Sequence, residues 1–203
     1  MNRPTIDEYF MAMAHLVSER STCLRRKVGA VMVKNKQVLS TGYNGAPKGL
    51  PHCEELGGCM RRGDIHPPYI DIFLEQYEEN EDIDKEKMLE EIDFFPKKGE
   101  EVKSGRRHEL CRAVHAEQNA VIQAAVSGVS IRGSTLYCTT YPCVVCGKML
   151  INSEIKEIVY DGEYTDSLSE NMLNQSDITV RNFEGEKREI QETIADYIKN
   201  KEE

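Results

Sequence analysis

Apolar and polar residues alternate along this chain in stretches that favour short helices and single strands in turn. Residues 5–19 repeat apolar side chains at helical spacing, and Thr5 with Glu8 matches a capping box at the start of a helix. The apolar run 28–33, a short turn and the run 37–41 predict a β-hairpin. The first quarter of the chain is therefore expected to form one helix followed by two paired strands.

The second half of the chain continues this pattern. The segments with helical spacing are 113–126, 143–152 and 167–174, and those with strand character are 135–139, 157–160 and 178–182. A further helix is expected near the C-terminus, where Ile190, Ile194, Tyr197 and Ile198 share one face. Helices that alternate with single strands favour α/β layering. The helix at 113–126 is apolar on most faces, so we expect it to be central and buried.

The negative charge of the chain is concentrated in one segment. The net charge is −9, and residues 71–93 alone contain eleven Asp/Glu and two Lys, which accounts for all of it. Apolar residues with helical spacing in this segment favour a short helical hairpin, and disorder is the alternative for so charged a stretch. We therefore predict a single domain over 1–203 with an inserted, acidic segment at about 65–105.

Length, charge and cysteine content exclude several classes of protein. The 203 residues contain no stretch as long as a membrane span and no signal-peptide pattern at the start, so a cytoplasmic protein without membrane contact is expected. An acidic balance argues against a nucleic-acid polymer as substrate, because such proteins carry a basic surface. The seven cysteines are an odd number with metal-site spacing, which favours zinc thiolates in a reducing compartment over disulfides.

Two motifs carry the chemistry. His115-Ala116-Glu117 is followed, 25 residues later, by Pro142-Cys143-Val144-Val145-Cys146. Together they form the H-x-E…P-C-x-x-C pattern of zinc-dependent nucleobase deaminases. His115, Cys143 and Cys146 would occupy three corners of a zinc tetrahedron and leave the fourth for water. The alternative is a structural zinc site beside an unrelated glutamate.

Glu117 is the predicted catalytic residue. Zinc lowers the pKa of bound water from about 15.7 towards about 7, which provides a nucleophile at neutral pH. Glu117 lies two residues from His115, close enough to reach that water without binding the metal. It would take a proton from the water, protonate the ring nitrogen and then protonate the leaving amine.

The chain resembles the deoxycytidylate (dCMP) deaminase family over most of 1–60 and 108–165. The matching stretches are Ser21-Thr22-Cys23, Val28-Gly29-Ala30-Val31, Gly42-Tyr43-Asn44-Gly45-Ala46-Pro47, Pro51-His52-Cys53, His115-Ala116-Glu117-Gln118-Asn119-Ala120 and Tyr141-Pro142-Cys143. The resemblance implies a three-layer α/β/α fold with a central mixed sheet of about five strands. It also implies hydrolysis of dCMP to dUMP and ammonia, which supplies dUMP for thymidylate synthesis. A homohexamer, activated by dCTP and inhibited by dTTP with Mg²⁺, is implied in the same way. The acidic insert departs from the family pattern.

The same resemblance suggests one substrate contact, and the positions of other residues near the motifs suggest more. Asn44, after the hairpin, would contact the nucleotide sugar, although Asn-Gly is also a common turn. Arg26, within the basic run 25–27, would bind the monophosphate, since a bidentate arginine suits that group, or it is ordinary surface charge. Tyr141 would pack on the base or belong to the core. Ala116 is assigned to the substrate site with them.

A second, structural zinc site is predicted from four further cysteines. It would pin the inserted segment to the rest of the domain. The candidate ligands are Cys23, Cys53, Cys59 and Cys111, with His108, His52 or Glu54 as substitutes. The alternative is a set of buried, inert thiols. Cys138 follows strand alternation and is predicted to be a small core residue.

Competing functions share the same zinc motif. A tRNA adenosine deaminase, or a deaminase of free cytosine or cytidine, would use the same ligands, and a non-enzymatic interaction protein could retain the fold. The acidic balance argues against the tRNA substrate. Intact His115, Glu117, Cys143 and Cys146 argue against a non-enzymatic role. Activity on dCMP but not on deoxycytidine would favour the nucleotide enzyme.

Overall fold

The computed structural model describes residues 3–64, 66, 96–97, 99–103, 106–162 and 166–185. These residues belong to two compact units, one from 1–21, 27–44 and 115–203, the other from 22–26 and 45–114. The predicted C-terminal helix and most of the acidic insert lie outside the described residues. The single-domain organisation with an insertion at about 65–105 therefore stays a prediction.

The first unit is built on a five-stranded mixed sheet. Its strands are β1 (Gly29–Lys34), β2 (Gln37–Tyr43), β3 (Thr135–Cys138), β4 (Glu157–Tyr160) and β5 (Thr179–Asn182). They lie in the order β2-β1-β3-β4-β5. β1 pairs antiparallel with β2 and β3, whereas β3, β4 and β5 run parallel. The predicted hairpin and the mixed sheet of about five strands are confirmed.

Four helices of this unit connect and cover the strands. They are α1 (Ile6–Ser18), α2 (Ala116–Val126), α3 (Val144–Asn152) and α4 (Ser167–Asn174). The capping box of α1 is confirmed, because Glu8 N donates to Thr5 Oγ1 at 3.2 Å and Thr5 N donates to Glu8 Oε2 at 2.7 Å. None of the described helices combines the length and apolar composition that a bilayer crossing requires.

Alternate residues of β1 pack against opposite helical layers, as the two-residue period of a strand requires. Ala30 and Met32 of β1 belong to a cluster that contains side chains of α2, α3 and α4. Val31 and Val33, between and beside them, belong to a second cluster with α1. The fold is therefore the three-layer α/β/α arrangement expected from the resemblance. Cys138 is fully buried in the first cluster, which confirms its predicted core position.

Helix α2 is buried on one face only, so the prediction that it is central and buried is wrong. Its small residues Ala116, Ala120 and Ala124 are 0–1% exposed, whereas Ile122 is 44% and Val126 is 78% exposed. The helix lies in an outer layer of the unit, so only one side can meet the sheet. An apolar composition could not distinguish that position from a central one.

Gly42 allows α2 to approach the end of β2 closely. A Cβ atom at this position would lie 2.1 Å from the carbonyl oxygen of Ala116 and 2.4 Å from the backbone nitrogen of Ala120. Both neighbours are backbone atoms of a helix and cannot rotate away. The glycine therefore sets the position of the helix that follows His115.

Replacing Gly42 by Ala should displace the first turns of α2. We expect a loss of about 1–3 kcal/mol in the free energy of unfolding, which is typical of overpacking, together with weaker zinc retention. Urea unfolding and zinc analysis of the purified variant measure both quantities. Thr41→Ala, at an exposed position of the same strand, serves as the control. Unchanged stability and zinc content in Gly42→Ala would show that the contact does not position the site.

Candidate metal centre and active site

The two motifs lie at the N-termini of two helices in the same unit. His115 is the residue before α2, and Cys143 is the residue before α3. Both have extended backbone, with φ/ψ of −72°/158° and −69°/168°, as helix N-caps do. Gln118 Oε1 accepts a hydrogen bond from His115 N at 2.8 Å and so fixes the start of α2. The positive ends of both helix dipoles favour thiolate and carboxylate charge at this point.

One nitrogen and two sulfur atoms converge there. His115 Nδ1 lies 3.4 Å from Cys143 Sγ and 3.4 Å from Cys146 Sγ. Zinc bonds of about 2.0 Å to nitrogen and about 2.3 Å to sulfur place two tetrahedral ligands about 3.5 Å apart. The two observed separations match the nitrogen–sulfur edges of such a tetrahedron. Both cysteines are free thiols that are 0–5% exposed.

The carboxyl group of Glu117 faces the same point. The side chains of His115, Glu117 and Cys146 each offer a ligand atom, and these atoms lie within 4.8 Å of one another. Glu117 is only 3% exposed. Burial raises the pKa of its carboxyl group, and His115 opposes that rise. A carboxyl with a raised pKa next to a metal site is suited to accept and return protons.

The thiols of the centre need a cation to ionise. The hydrogen bond between Cys146 and Cys143 and the burial of Cys146 raise the pKa of the Cys146 thiol well above its ordinary value. A bound divalent ion reverses this effect, because a coordinating thiol is deprotonated outright. One imidazole with two thiolates is a donor set that zinc prefers. The residues present therefore fit zinc.

Asp166, which the sequence analysis missed, accepts hydrogen bonds at the N-termini of both α3 and α4 and holds them in place. Asp166 Oδ2 accepts from Val144 N at 3.1 Å, at the first residue of α3. Its Oδ1 accepts from the backbone nitrogens of Leu168 and Ser169, at 3.1 and 3.2 Å, and caps α4. An Asp before a helical segment signals an N-cap in the sequence. The contact between Asp166 and Val144 N depends on tertiary structure, so the sequence does not reveal it.

Asn44 is a buried, oriented side chain rather than an exposed turn residue. It is 8% exposed. Its Oδ1 accepts from Ser21 Oγ at 2.6 Å and from Val28 N at 2.9 Å. The backbone donor of Val28 fixes which end of the amide is the oxygen. Ser21 lies within a stretch that resembles the family, although the sequence analysis gave it no role.

The other predicted substrate residues of this unit are buried. Ala116 is fully buried in the first turn of α2. Tyr141 is 4% exposed and packs edge-on against Tyr160 with ring centroids 4.9 Å apart. Burial raises the pKa of Tyr141 to about 12. Tyr141 belongs to the first buried cluster, and its contact with the base stays a prediction.

The four remaining candidate cysteines all belong to the second unit, and none forms a disulfide. Burial, followed by the proximity of Cys59, Cys111 and Cys23, raises the pKa of the Cys53 thiol to about 11. The loop that carries Cys53 and Cys59 is held by Gly58 N, which donates to Cys53 O at 2.8 Å. The four cysteines therefore form one cluster, which is named the cysteine cluster below.

The cysteine cluster is less compact than the His115 centre. Within the described residues, no three of its sulfur atoms lie within 4.8 Å of one another. His52, next to Cys53, has a buried Nδ1 without a hydrogen-bond partner among the described residues. His108 lies in a short 3₁₀ turn, His108–Leu110, three residues before Cys111. A bound metal would have to draw the sulfur atoms closer together.

The three residues of the basic run 25–27 differ in their contacts. Arg25 pairs with Glu101 at 2.9 Å and donates to Val102 O at 2.6 Å. Lys27 pairs with Glu19 at 2.6 Å. Arg26 is exposed. The contact of Arg26 with the phosphate stays a prediction.

Comparison with known proteins identifies the class to which this fold and centre belong. Residues 4–161 match the family described as "Cytidine and deoxycytidylate deaminase zinc-binding region". The chain belongs to this family.

Individual relatives agree with that assignment. Deoxycytidylate deaminase of Saccharomyces cerevisiae is 33% identical over 89% of this chain and 46% of its own length. Deoxycytidylate deaminase of Mycobacterium phage D29 is 34% identical over 80% of this chain and 99% of its own length. Among solved structures, dCMP deaminase from cyanophage S-TIM5 in complex with dCMP and dUMP has a TM-score of 0.58. It is 28% identical and covers 90% of this chain and all of its own. The chain spans about half the length of the yeast relatives it matches.

Proposed function

We propose that this protein catalyses the hydrolytic deamination of dCMP to dUMP and ammonia. The convergence of His115 Nδ1, two cysteine sulfurs and the Glu117 carboxyl group is the observation that carries the proposal. The choice of dCMP as substrate is supported by the names of the relatives and by the ligands of the cyanophage structure. His115, Cys143 and Cys146 would hold the zinc ion.

Glu117 moves the protons of the reaction. A zinc ion at this centre supplies the Lewis acidity that makes a water molecule nucleophilic at neutral pH. Glu117 would accept a proton from the water and deliver it to the ring nitrogen beside the reacting carbon. It would then take the second proton, from the hydroxyl group added to that carbon, and pass it to the leaving amino group as the carbonyl of dUMP forms. One water is consumed and one ammonia is released. The burial of Glu117 keeps bulk water away from these transfers.

The substrate class is tested by ammonia release from dCMP, CMP, dCTP, deoxycytidine and a tRNA with adenosine at its wobble position. We expect kcat/KM for dCMP to exceed that for deoxycytidine by more than about tenfold, because a charge-assisted phosphate contact contributes about 1.5–3 kcal/mol. Equal rates on dCMP and deoxycytidine would contradict a nucleotide enzyme. Release from the tRNA alone would identify the adenosine deaminase instead.

Asn44 is proposed to contact the nucleotide sugar. Asn44→Asp keeps the oxygen that accepts from Ser21 and Val28 but removes the amide donor. We expect KM for dCMP to rise by about 2- to 12-fold, which corresponds to one hydrogen bond of about 0.5–1.5 kcal/mol, with the zinc content unchanged. Steady-state kinetics and metal analysis measure both. Wild-type KM in Asn44→Asp would show that the side chain has a structural role only.

We also propose a second, structural zinc ion bound by the cysteine cluster. The support is the mutual proximity of Cys23, Cys53, Cys59 and Cys111 as free thiols. Among the described residues the buried Nδ1 of His52 has no hydrogen-bond partner, and it offers a nitrogen ligand in the same unit. The ion would hold together segments of that unit that are far apart in sequence.

Cys53→Ser should remove one metal ion per chain and leave the His115 centre occupied. We expect the wild-type protein to bind two zinc ions per chain, one in each proposed site, and the variant to bind one and to unfold at a lower temperature. Metal analysis by mass spectrometry and thermal unfolding provide the two readouts. A single zinc per wild-type chain would remove the basis for this site.

Assembly and regulation extend the proposal. Exposed apolar side chains on α1 and α2 are consistent with subunit contacts in a homohexamer; they are Ile6, Tyr9, Leu16, Ile122 and Val126. Activation by dCTP and inhibition by dTTP, both with Mg²⁺, are proposed from the family resemblance. The free cysteines suit the reducing cytoplasm. Light scattering and rates measured with each effector test these points.

A further inference from the structure

A buried guanidinium group lies beside the cysteine cluster. Arg61 is 7% exposed. Its Nη2 donates to the backbone oxygens of Lys103 and Arg106, at 2.8 and 2.6 Å. Its Nε is buried and has no hydrogen-bond partner among the residues that the structure describes. A buried cation is costly unless a negative charge lies nearby, so the surroundings of Arg61 must supply one.

Carboxylates do not supply that charge within the described segments. Arg61 forms no ion pair there. The charged side chain with the largest electrostatic effect on it is Arg25, which has the same sign and is itself paired with Glu101 at 2.9 Å. Among the described residues, two cysteines act on it with the opposite sign: Cys111, which is hydrogen-bonded to the Arg61 side chain, and Cys59, which interacts with it electrostatically. A neutral thiol is only a weak acceptor and does not offset a positive charge.

We propose that Arg61 is the counter-ion and positioning residue of the second metal site. A divalent ion bound by three or four thiolates has a net negative charge, which the guanidinium of Arg61 offsets. The inference rests on the second zinc site proposed above. The two carbonyl contacts of Arg61 add a geometric role, because they tie the loop of Cys59 to Lys103 and to Arg106, which precede Cys111 in the chain.

The zinc-loaded full-length protein tests this proposal. The variants are Arg61→Met, which removes the charge, and Arg61→Lys, which keeps it, with Arg62→Met as the control at a neighbouring, 42% exposed side chain. The readouts are zinc per chain, the competition of a chromogenic chelator for each zinc equivalent, and the sulfur-to-cobalt charge-transfer band of Co²⁺-substituted protein. We expect Arg61→Met to weaken binding of the second equivalent by about 10- to 100-fold, the usual effect of losing an outer-shell partner. The first equivalent should be unchanged, and Arg62→Met should behave as wild type.

Each remaining outcome decides a different point. Arg61→Met that holds its second metal as tightly as wild type overturns the role of Arg61 while leaving the second site intact. Arg61→Lys that loses the metal as readily as Arg61→Met overturns the charge argument. A wild-type protein with one zinc per chain overturns the second site itself. If Arg61→Met does not fold, Arg61→Lys decides: a retained charge-transfer band of the second cobalt supports the proposal, and its loss overturns it.

Discussion

Glu117→Gln should abolish deamination while zinc stays bound. The substitution preserves the size of the side chain but removes the group that accepts and returns protons. General acid–base catalysis contributes about 10²–10⁴-fold to a rate, and Glu117 is proposed to act in three successive transfers, so we expect a loss at or above the upper end of that range. The rate of dCMP turnover and the zinc content of the same sample measure the two effects.

Glu117→Asp is the matched comparison for this variant. It keeps a carboxyl group but shortens its reach, so partial activity is expected. Near-normal turnover in Glu117→Gln would show that another group moves the protons. Loss of zinc in that variant would mean that Glu117 is a ligand. The zinc content must be measured because the carboxyl group of Glu117 lies within 4.8 Å of the ligand atoms of His115 and Cys146.

Cys146→Ala should lose the catalytic zinc and, with it, all activity. Only His115 and Cys143 would remain as protein ligands, too few for a site that needs three. Cys138→Ala is the matched control. Cys138 is also fully buried, and its thiol interacts electrostatically with both Glu117 and Cys143, yet it is not among the converging ligands.

The comparison between the two cysteines separates ligation from packing. Cys138→Ala is expected to lower stability by roughly 1 kcal/mol, as a small core truncation does, and to keep its zinc. Metal analysis and thermal unfolding of both variants provide the test. Equal zinc loss in the two variants would contradict the assignment of Cys146 as a ligand, because it would show that any truncation of the core near the centre releases the ion.

Local sequence signals predicted much of the fold. The capping box of Thr5 and Glu8 and the hairpin of β1 and β2 depend on residues close together in the chain, and both were confirmed. The exposure of α2 was not predicted, because its composition is the same whether a helix lies in an outer layer or at the centre. Most of the acidic insert lies outside the described residues, and its structure remains a prediction.

In the candidate site, too, local features were predictable from the sequence and long-range contacts were not. The spacing of His115 and Glu117, and of Cys143 and Cys146, fixes each pair at one helix start, and the structure brings the two starts together. The contact of Asp166 with Val144 and the contacts of Arg61 could not be recognised from the sequence. Their roles depend on backbone groups or sulfur atoms far away in the chain, which only tertiary structure brings within reach.

The central claim is that zinc at the His115 centre and Glu117 together deaminate dCMP. The most direct measurement follows dCMP by NMR in one protein sample in three states: zinc-loaded, stripped with a chelator, and reloaded with zinc. We predict that dUMP and ammonia appear in equal amounts in the first state, that turnover stops in the second, and that it returns in the third. Zinc-loaded protein that leaves dCMP unchanged, or turnover that persists after the zinc is removed, would contradict the account.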